Sequence, residues 1–219
     1  MVKYRFGYAK YGDAKYVSHL DLIRLFSRSF KRANIPLTYS EGFNPHPKLA
    51  IGLPLSVGVT SECEYMDAET DRELSPQDIE ELNRCLPRGL HINGVAQRIP
   101  GMKKLSDIRW AEYRVTVFGT ALTPEQVIAF TERPDVCIEK RTKRKTEEAD
   151  ILPDILSLSV QGQDEDGLLL SMTLSAGPAA NLKPDLVLTA MTQYIEGFAP
   201  TDYDVHRVKI LCDSGLPLL

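Results

Sequence analysis

His46 stands between Pro45 and Pro47 in the phrase Glu41-Gly42-Phe43-Asn44-Pro45-His46-Pro47. Prolines fix their own φ and stiffen the chain on both sides. An imidazole held in one place, with a pKa near neutrality, suits general acid or base work. The same residues equally suit a structural turn that locks a hairpin. His19 is the second candidate for such chemistry. It falls in the first turn of an expected helix, where unpaired amides and the helix dipole favour anions, and Lys15 and Tyr16 lie just before it. That grouping suits a phosphate, although a histidine following an N-cap is also simply solvated. The residues leave open whether either histidine catalyses a reaction.

A larger signal is cationic. Arg24, Arg28, Lys31 and Arg32 recur at helical spacing on a different face from Leu22, Leu25, Phe26, Phe30 and Ala33. Such a stripe can track a phosphate backbone, because each neutralised phosphate releases counterion. No acidic residue four positions on interrupts it, although a solvated charged face is the plain alternative. Lys140, Arg141, Lys143, Arg144 and Lys145 form a second basic run, read either as a hairpin tip facing nucleic acid or as a solvated loop. Phe43 and Tyr39 are candidates for base stacking or for packing within a hairpin. The expected RNA contacts are therefore Lys15, Tyr16, the helical stripe, Phe43, Asn44, His46, Lys48 and the second basic run. The net charge of −4 hides an asymmetry: residues 1–60 hold nine Lys/Arg against three Asp/Glu, a local +6 that leaves −10 for the remainder. The local field, not the total, governs what docks there.

These side chains need a scaffold, and the pattern of apolar residues supplies one. A strand over 3–10 leads to a helix opened by Ser18-His19-Leu20-Asp21, which resembles a capping box, and closed by Asn34 and Pro36. Short strands over 37–40 and 48–55 are expected to form a hairpin, followed by a strand over 60–70. Ser75-Pro76 opens a helix whose core face is Ile79, Leu82 and Leu86, with Gly89 expected to end it before a strand over 90–98. The order then repeats: strands over 111–118, 136–140, 151–160, 168–174 and 203–211, a helix opened by Thr123-Pro124 with Val127, Ile128 and Phe130 inward, and another opened by Asn181 to Asp185. The fold class is α+β, with tandem ferredoxin-like β-α-β-β-α-β units carrying antiparallel sheets, at 1–105 and 106–219.

The phrases Tyr16-Val17-Ser18-His19-Leu20-Asp21-Leu22, Tyr39-Ser40-Glu41-Gly42-Phe43-Asn44-Pro45-His46-Pro47-Lys48 and Leu53-Pro54-Leu55-Ser56-Val57-Gly58 resemble a bacterial family of uncharacterised radical SAM-linked proteins. In that family the domain stands alone or at the end of a radical SAM protein. The resemblance covers most of the chain and implies no established activity. It does imply a radical SAM protein as a possible partner, with this chain as an accessory or substrate-presenting subunit. The chain has no CxxxCxxC motif, so it is not itself the radical SAM enzyme. A looser likeness, in element order alone, is to tandem ferredoxin-like RNA-binding proteins of the RAMP type, which implies an endoribonuclease using His46 or His19.

Other classes find no support. There is no P-loop or GxGxxG, and no cofactor is expected. Ser175 to Asn181 is a small-residue loop before a helix with a single glycine, closer to a tight connection than to an anion cradle. The RNP1 sequence of an RRM is missing, so recognition by aromatics on the sheet face is not expected. Glu62, Glu64 and Asp67 read as the solvent face of a strand, not as a metal site. Cys63, Cys85, Cys137 and Cys212 are widely spaced and read as buried thiols, with a disulfide pair possible by count alone. No apolar run approaches membrane-spanning length and the start is unlike a signal peptide, so a cytoplasmic protein with no membrane partner is expected. Binding of structured RNA, in RNA processing or modification, is the function these residues suggest.

Overall fold

Tyr4, Phe6 and Tyr8 alternate with Arg5, Gly7 and Ala9, so the first strand, β1 (Val2–Lys10), has one aromatic face. That face meets α1 (His19–Arg32), whose Leu22, Phe26 and Phe30 are buried. Phe6 packs edge-on against Phe30 with ring centroids 5.3 Å apart, and Tyr8 against Phe26 at 5.0 Å. Each such pair contributes about 0.5–1.5 kcal/mol beyond its buried area. Ser18 caps α1 by accepting from the Asp21 amide at 3.3 Å. The Asp21 carboxylate does not reach back to an amide as the capping-box pattern suggested; it accepts the Ser18 hydroxyl at 2.7 Å and Arg24 at 3.0 Å.

The structure is a computed structural model that describes residues 1–141, 146–165 and 167–219. It divides into two units, Met1–Ile108 with Ile210–Leu219, and Arg109–Lys209. In the first unit β1 and α1 are followed by β2 (Leu49–Gly52), β3 (Thr60–Thr70), α2 (Pro76–Cys85) and β4 (Leu90–Gln97). The strands pair antiparallel in the order β4-β1-β3-β2, which is the ferredoxin-like arrangement.

Local details differ from the sequence reading. Residues 37–40 do not form a strand hairpinned to 48–55. They make isolated bridges, Leu37 with Thr70 and Tyr39 with Pro47, and β2 pairs with β3 instead. Pro45 and Pro47 have no N–H to extend a ladder. Beyond Gly52 the chain leaves the sheet at Leu53, whose φ of 47° is left-handed. α2 ends at Cys85 rather than at Gly89, because Pro87 forces the preceding Leu86 to be extended, with ψ 147°. Gly89 instead makes the turn into β4 at φ 85°, where a Cβ would collide with the Tyr11 carbonyl.

Ser75 and Asp78 form a complete capping box at the start of α2: Ser75 Oγ accepts from the Asp78 amide at 3.3 Å, and the Asp78 carboxylate accepts from the Ser75 amide at 2.8 Å. Arg72 adds a bidentate pair, at 2.7 and 2.8 Å, and its guanidinium with the Ser75 amide holds the Asp78 carboxyl well below the usual carboxylate range. Ser75→Ala is expected to lower stability by about 1 kcal/mol, read from urea unfolding.

The second unit repeats the topology. β5 (Ile108–Phe118), α3 (Pro124–Thr131), β8 (Ile155–Asp164), β9 (Gly167–Ser175), α4 (Pro184–Tyr194) and β10 (Asp202–Cys212) form a sheet in the order β10-β5-β9-β8, with a hairpin of β6 (Cys137–Arg141) and β7 (Thr146–Asp150) inserted after α3. The acidic stretch around Glu148 thus lies in a strand that the sequence reading did not assign. Pro153 opens a short 3-10 turn, so β8 begins at Ile155, later than expected. Ile128, expected in the core, is 53% exposed, because Val127 and Phe130 already fill the inward side of this short helix. The hairpin root is tied to α4 by Tyr194, whose hydroxyl donates to the Cys137 carbonyl and accepts from its amide, both at 3.1 Å. The protein is therefore a mixed α+β fold of two ferredoxin-like units with antiparallel sheets. Among the described residues, no helix is long and apolar enough to cross a membrane.

Candidate nucleic-acid interface

Packing of Leu22, Phe26 and Phe30 inward leaves Arg24, Arg28, Lys31 and Arg32 exposed along the opposite side of α1. With Val17, Asp21, Leu25 and Pro87 they line an open groove of about 920 Å³. The four cations are not equivalent. Arg24 is paired with Asp21 at 3.0 Å. The Ser18 hydroxyl, and then Arg24 itself, hold the Asp21 carboxyl below its ordinary value, so this pairing persists at neutral pH. The carboxylate lies three residues before Arg24, outside the i+4 positions the sequence reading had considered. Arg32 donates to the Cys85 carbonyl and is spent on joining α1 to the end of α2. Arg28 and Lys31 have no hydrogen-bond or ion-pair partner among the described residues.

Lys31 also borders a neighbouring depression of about 420 Å³, lined by Ser27, Asn34, Ile35, Pro36, Leu37 and Tyr39. Tyr39 is 50% exposed. Sequence reasoning placed Tyr39 beside Phe43 and did not connect it with Lys31; the two come to line one depression after Ile35 turns back to hydrogen-bond the Phe30 carbonyl at 2.9 Å.

The proline-bracketed loop lies apart from this groove. His46 is exposed, and its Nδ1 sits 3.0 Å from Ser40 Oγ, which also accepts from the His46 amide at 3.1 Å. The Ser40 amide in turn donates to the His46 carbonyl at 2.9 Å. These local bonds hold the turn. His46 and Lys48 line a separate depression of about 370 Å³ with Lys3, Arg98, Asp67 and Glu69. Lys48 is engaged by Glu69 at 3.1 Å, and this bond, with a second from Thr38, keeps the Glu69 carboxyl below its usual range. Phe43 is fully exposed and Asn44 is exposed beside it.

At the start of α1, His19 is half-buried, with its Nδ1 enclosed and without a hydrogen-bond partner among the described residues. Lys15 Nζ lies 5.4 Å from the centre of the exposed Tyr16 ring. Lys140 and Arg141 belong to β6; Lys143, Arg144 and Lys145 lie outside the described residues.

The opposite face of the first unit's sheet is closed, a feature the sequence reading missed. Arg5 is fully buried and makes a bidentate pair with Asp67 at 2.7 and 3.0 Å. It also donates to the carbonyls of Lys103, at 2.7 Å, and Leu218, at 3.3 Å, while Arg98 binds the second Asp67 oxygen at 2.9 Å. Glu64 is buried as well, so neither it nor Asp67 belongs to a solvent face as expected. Asp67 turns toward Arg5, its direct partner across the β1–β3 pairing. Chain from residue 103 and from the last residues thus covers the face of the sheet opposite α1.

Residues 3–184 match the model of a family described as uncharacterized proteins conserved in bacteria (DUF2344). No curated protein matches the chain. Similar solved structures include a Cbf5-Nop10-Gar1 complex, at 10% identity and TM-score 0.47, covering 94% of this chain and 49% of that one. An H/ACA RNP bound to a substrate RNA containing 2'-deoxyuridine matches at 11% identity and TM-score 0.46, covering 94% and 47%. The first two RRM domains of yeast poly(U) binding protein match at 12% identity and TM-score 0.21, covering 92% and 98%. The chain spans about half the length of the first two. These are likenesses at low identity.

Proposed function

Because the chain belongs to this bacterial family of uncharacterised proteins, its function has to be read from its own surface, and we propose that it binds RNA through the α1 groove. One observation carries the proposal: Arg28 and Lys31 are exposed side by side, without a partner among the described residues, on a groove that also holds Arg24 and Arg32, in a chain whose net charge is −4. Isolated surface cations usually sit among carboxylates that balance them. Here Asp21, the one carboxylate lining the groove among the described residues, is occupied by Arg24. Arg24 to Arg32 spans about 12 Å of helix. At physiological salt, charges beyond roughly 8 Å are screened, so only nearby carboxylates weigh on the groove; Glu81 of α2, which reaches the Cys85 thiol, is itself paired with Arg84 at 2.6 Å.

The role we attach to this binding is RNA processing or modification in the cytoplasm. Lys15 and Tyr16, at the start of α1, are its extension; Phe43, Asn44, His46, Lys48 and the basic run from Lys140 to Lys145 are secondary contacts. Cleavage by His46 or His19 is not required by this reading. The test is filter retention of total cellular RNA by the purified protein. Retention that weakens with salt and is lost in Arg28→Glu/Lys31→Glu supports the proposal, and no retention at low salt overturns it. If RNA is absent and a radical SAM enzyme co-purifies with the tagged protein, the accessory-subunit reading replaces it.

A further inference from the structure

Taking RNA binding at the α1 groove as its premise, we infer that the ligand is a single strand, its phosphates on Arg28 and Lys31 and one base stacked on Tyr39. Two features of the surface carry this. The first is that the cationic rim is paired with apolar walls: Val17, Leu25 and Pro87 line the groove, and Ile35, Pro36 and Leu37 line the depression next to it. A duplex offers phosphates but keeps its base faces in the helical stack, so it leaves those walls uncovered. A single strand offers phosphates and bases together, and meets both kinds of surface at once.

The second feature is continuity. Lys31 lines both depressions, so a backbone following Arg28 to Lys31 arrives at the half-exposed ring of Tyr39. The depression around Tyr39, about 420 Å³, falls within the range of roughly 300–1,000 Å³ usual for small-ligand pockets, which accommodates a nucleobase. Stacking on an aromatic face tolerates any base, so the site selects for strandedness before sequence.

The experiment compares fluorescence anisotropy of a labelled oligouridylate about 12 nucleotides long with that of an RNA duplex of equal length. The wild type is expected to bind the single strand at least about 10-fold more tightly than the duplex. Tyr39→Ala is expected to weaken single-strand binding about 10-fold while Tyr39→Phe retains it, a rescue that a merely structural hydroxyl would not give. The Tyr39 side chain is half-exposed, and unchanged urea unfolding of Tyr39→Ala verifies its fold. Equal affinity for the duplex, or an unaltered Tyr39→Ala, overturns the inference. In either case, salt-sensitive binding that Arg28→Glu/Lys31→Glu abolishes leaves RNA binding itself standing. Failure to bind either probe overturns the inference, while retention of cellular RNA on the filter decides RNA binding itself.

Discussion

Arg5→Met is expected to lower the unfolding free energy by about 3–5 kcal/mol, the cost of taking one partner from a buried charge pair. Arg5 is fully buried, while the Asp67 side chain keeps 17% of its exposure. Removing the guanidinium leaves Asp67 with Arg98 alone, and strips the carbonyls of Lys103 and Leu218 of a donor. Methionine fills part of the volume, so the loss reflects unmet polar groups more than a cavity. The effect reaches further than its own site, because Arg5 ties β1 to two distant segments that cover the sheet. Arg5→Met should therefore loosen the final residues before it unfolds the unit, visible as faster amide exchange around Leu218. An unfolding free energy within about 1 kcal/mol of wild type would show that the cluster is balanced by solvent and not by these contacts.

The second large effect is on binding. Arg28→Glu/Lys31→Glu is expected to weaken RNA affinity by roughly 100-fold or more near physiological salt, with little change in stability, since neither side chain has a partner to lose among the described residues. Two attractive charges become two repulsive ones on the same groove. Arg24→Gln should cost much less, because Asp21 already holds Arg24 and its removal frees a carboxylate as well as deleting a cation. Arg32 is a poor probe: its bond to the Cys85 carbonyl makes a substitution structural. The contrast between positions 24 and 28, one helical turn apart on one stripe, separates a specific groove from a general effect of net charge.

Much of the architecture was legible. Apolar alternation marked β1, β3, β5, β9 and β10, and Ser75-Pro76 and Thr123-Pro124 marked two helix starts that the structure caps through Asp78 and Gln126. The cationic stripe was legible for the same reason as the core of α1, since both follow one helical period. What escaped notice depends on residues far apart in the chain. Arg5 sits where alternation points away from α1 and reads as exposed; it is buried by chain about 100 and about 213 residues away. The acidic strand β7 carries no β-like composition and is held by pairing with β6. Tyr39 joined Lys31 only through the turn at Ile35, which no periodicity encodes. His46 was read for its prolines, and the bonds to Ser40 across the loop define its surroundings better.

RNA binding at the α1 groove depends on Arg28 and Lys31 meeting phosphates, and the salt dependence of binding measures that directly. Affinity for a single-stranded RNA should fall linearly on logarithmic axes as salt rises, and the slope for Arg28→Gln/Lys31→Gln should be shallower than that of the wild type by about 1.4, or about 0.7 for each lost phosphate contact. Parallel lines for the two proteins would mean that these cations touch no phosphate, and the groove would lose its claim to RNA.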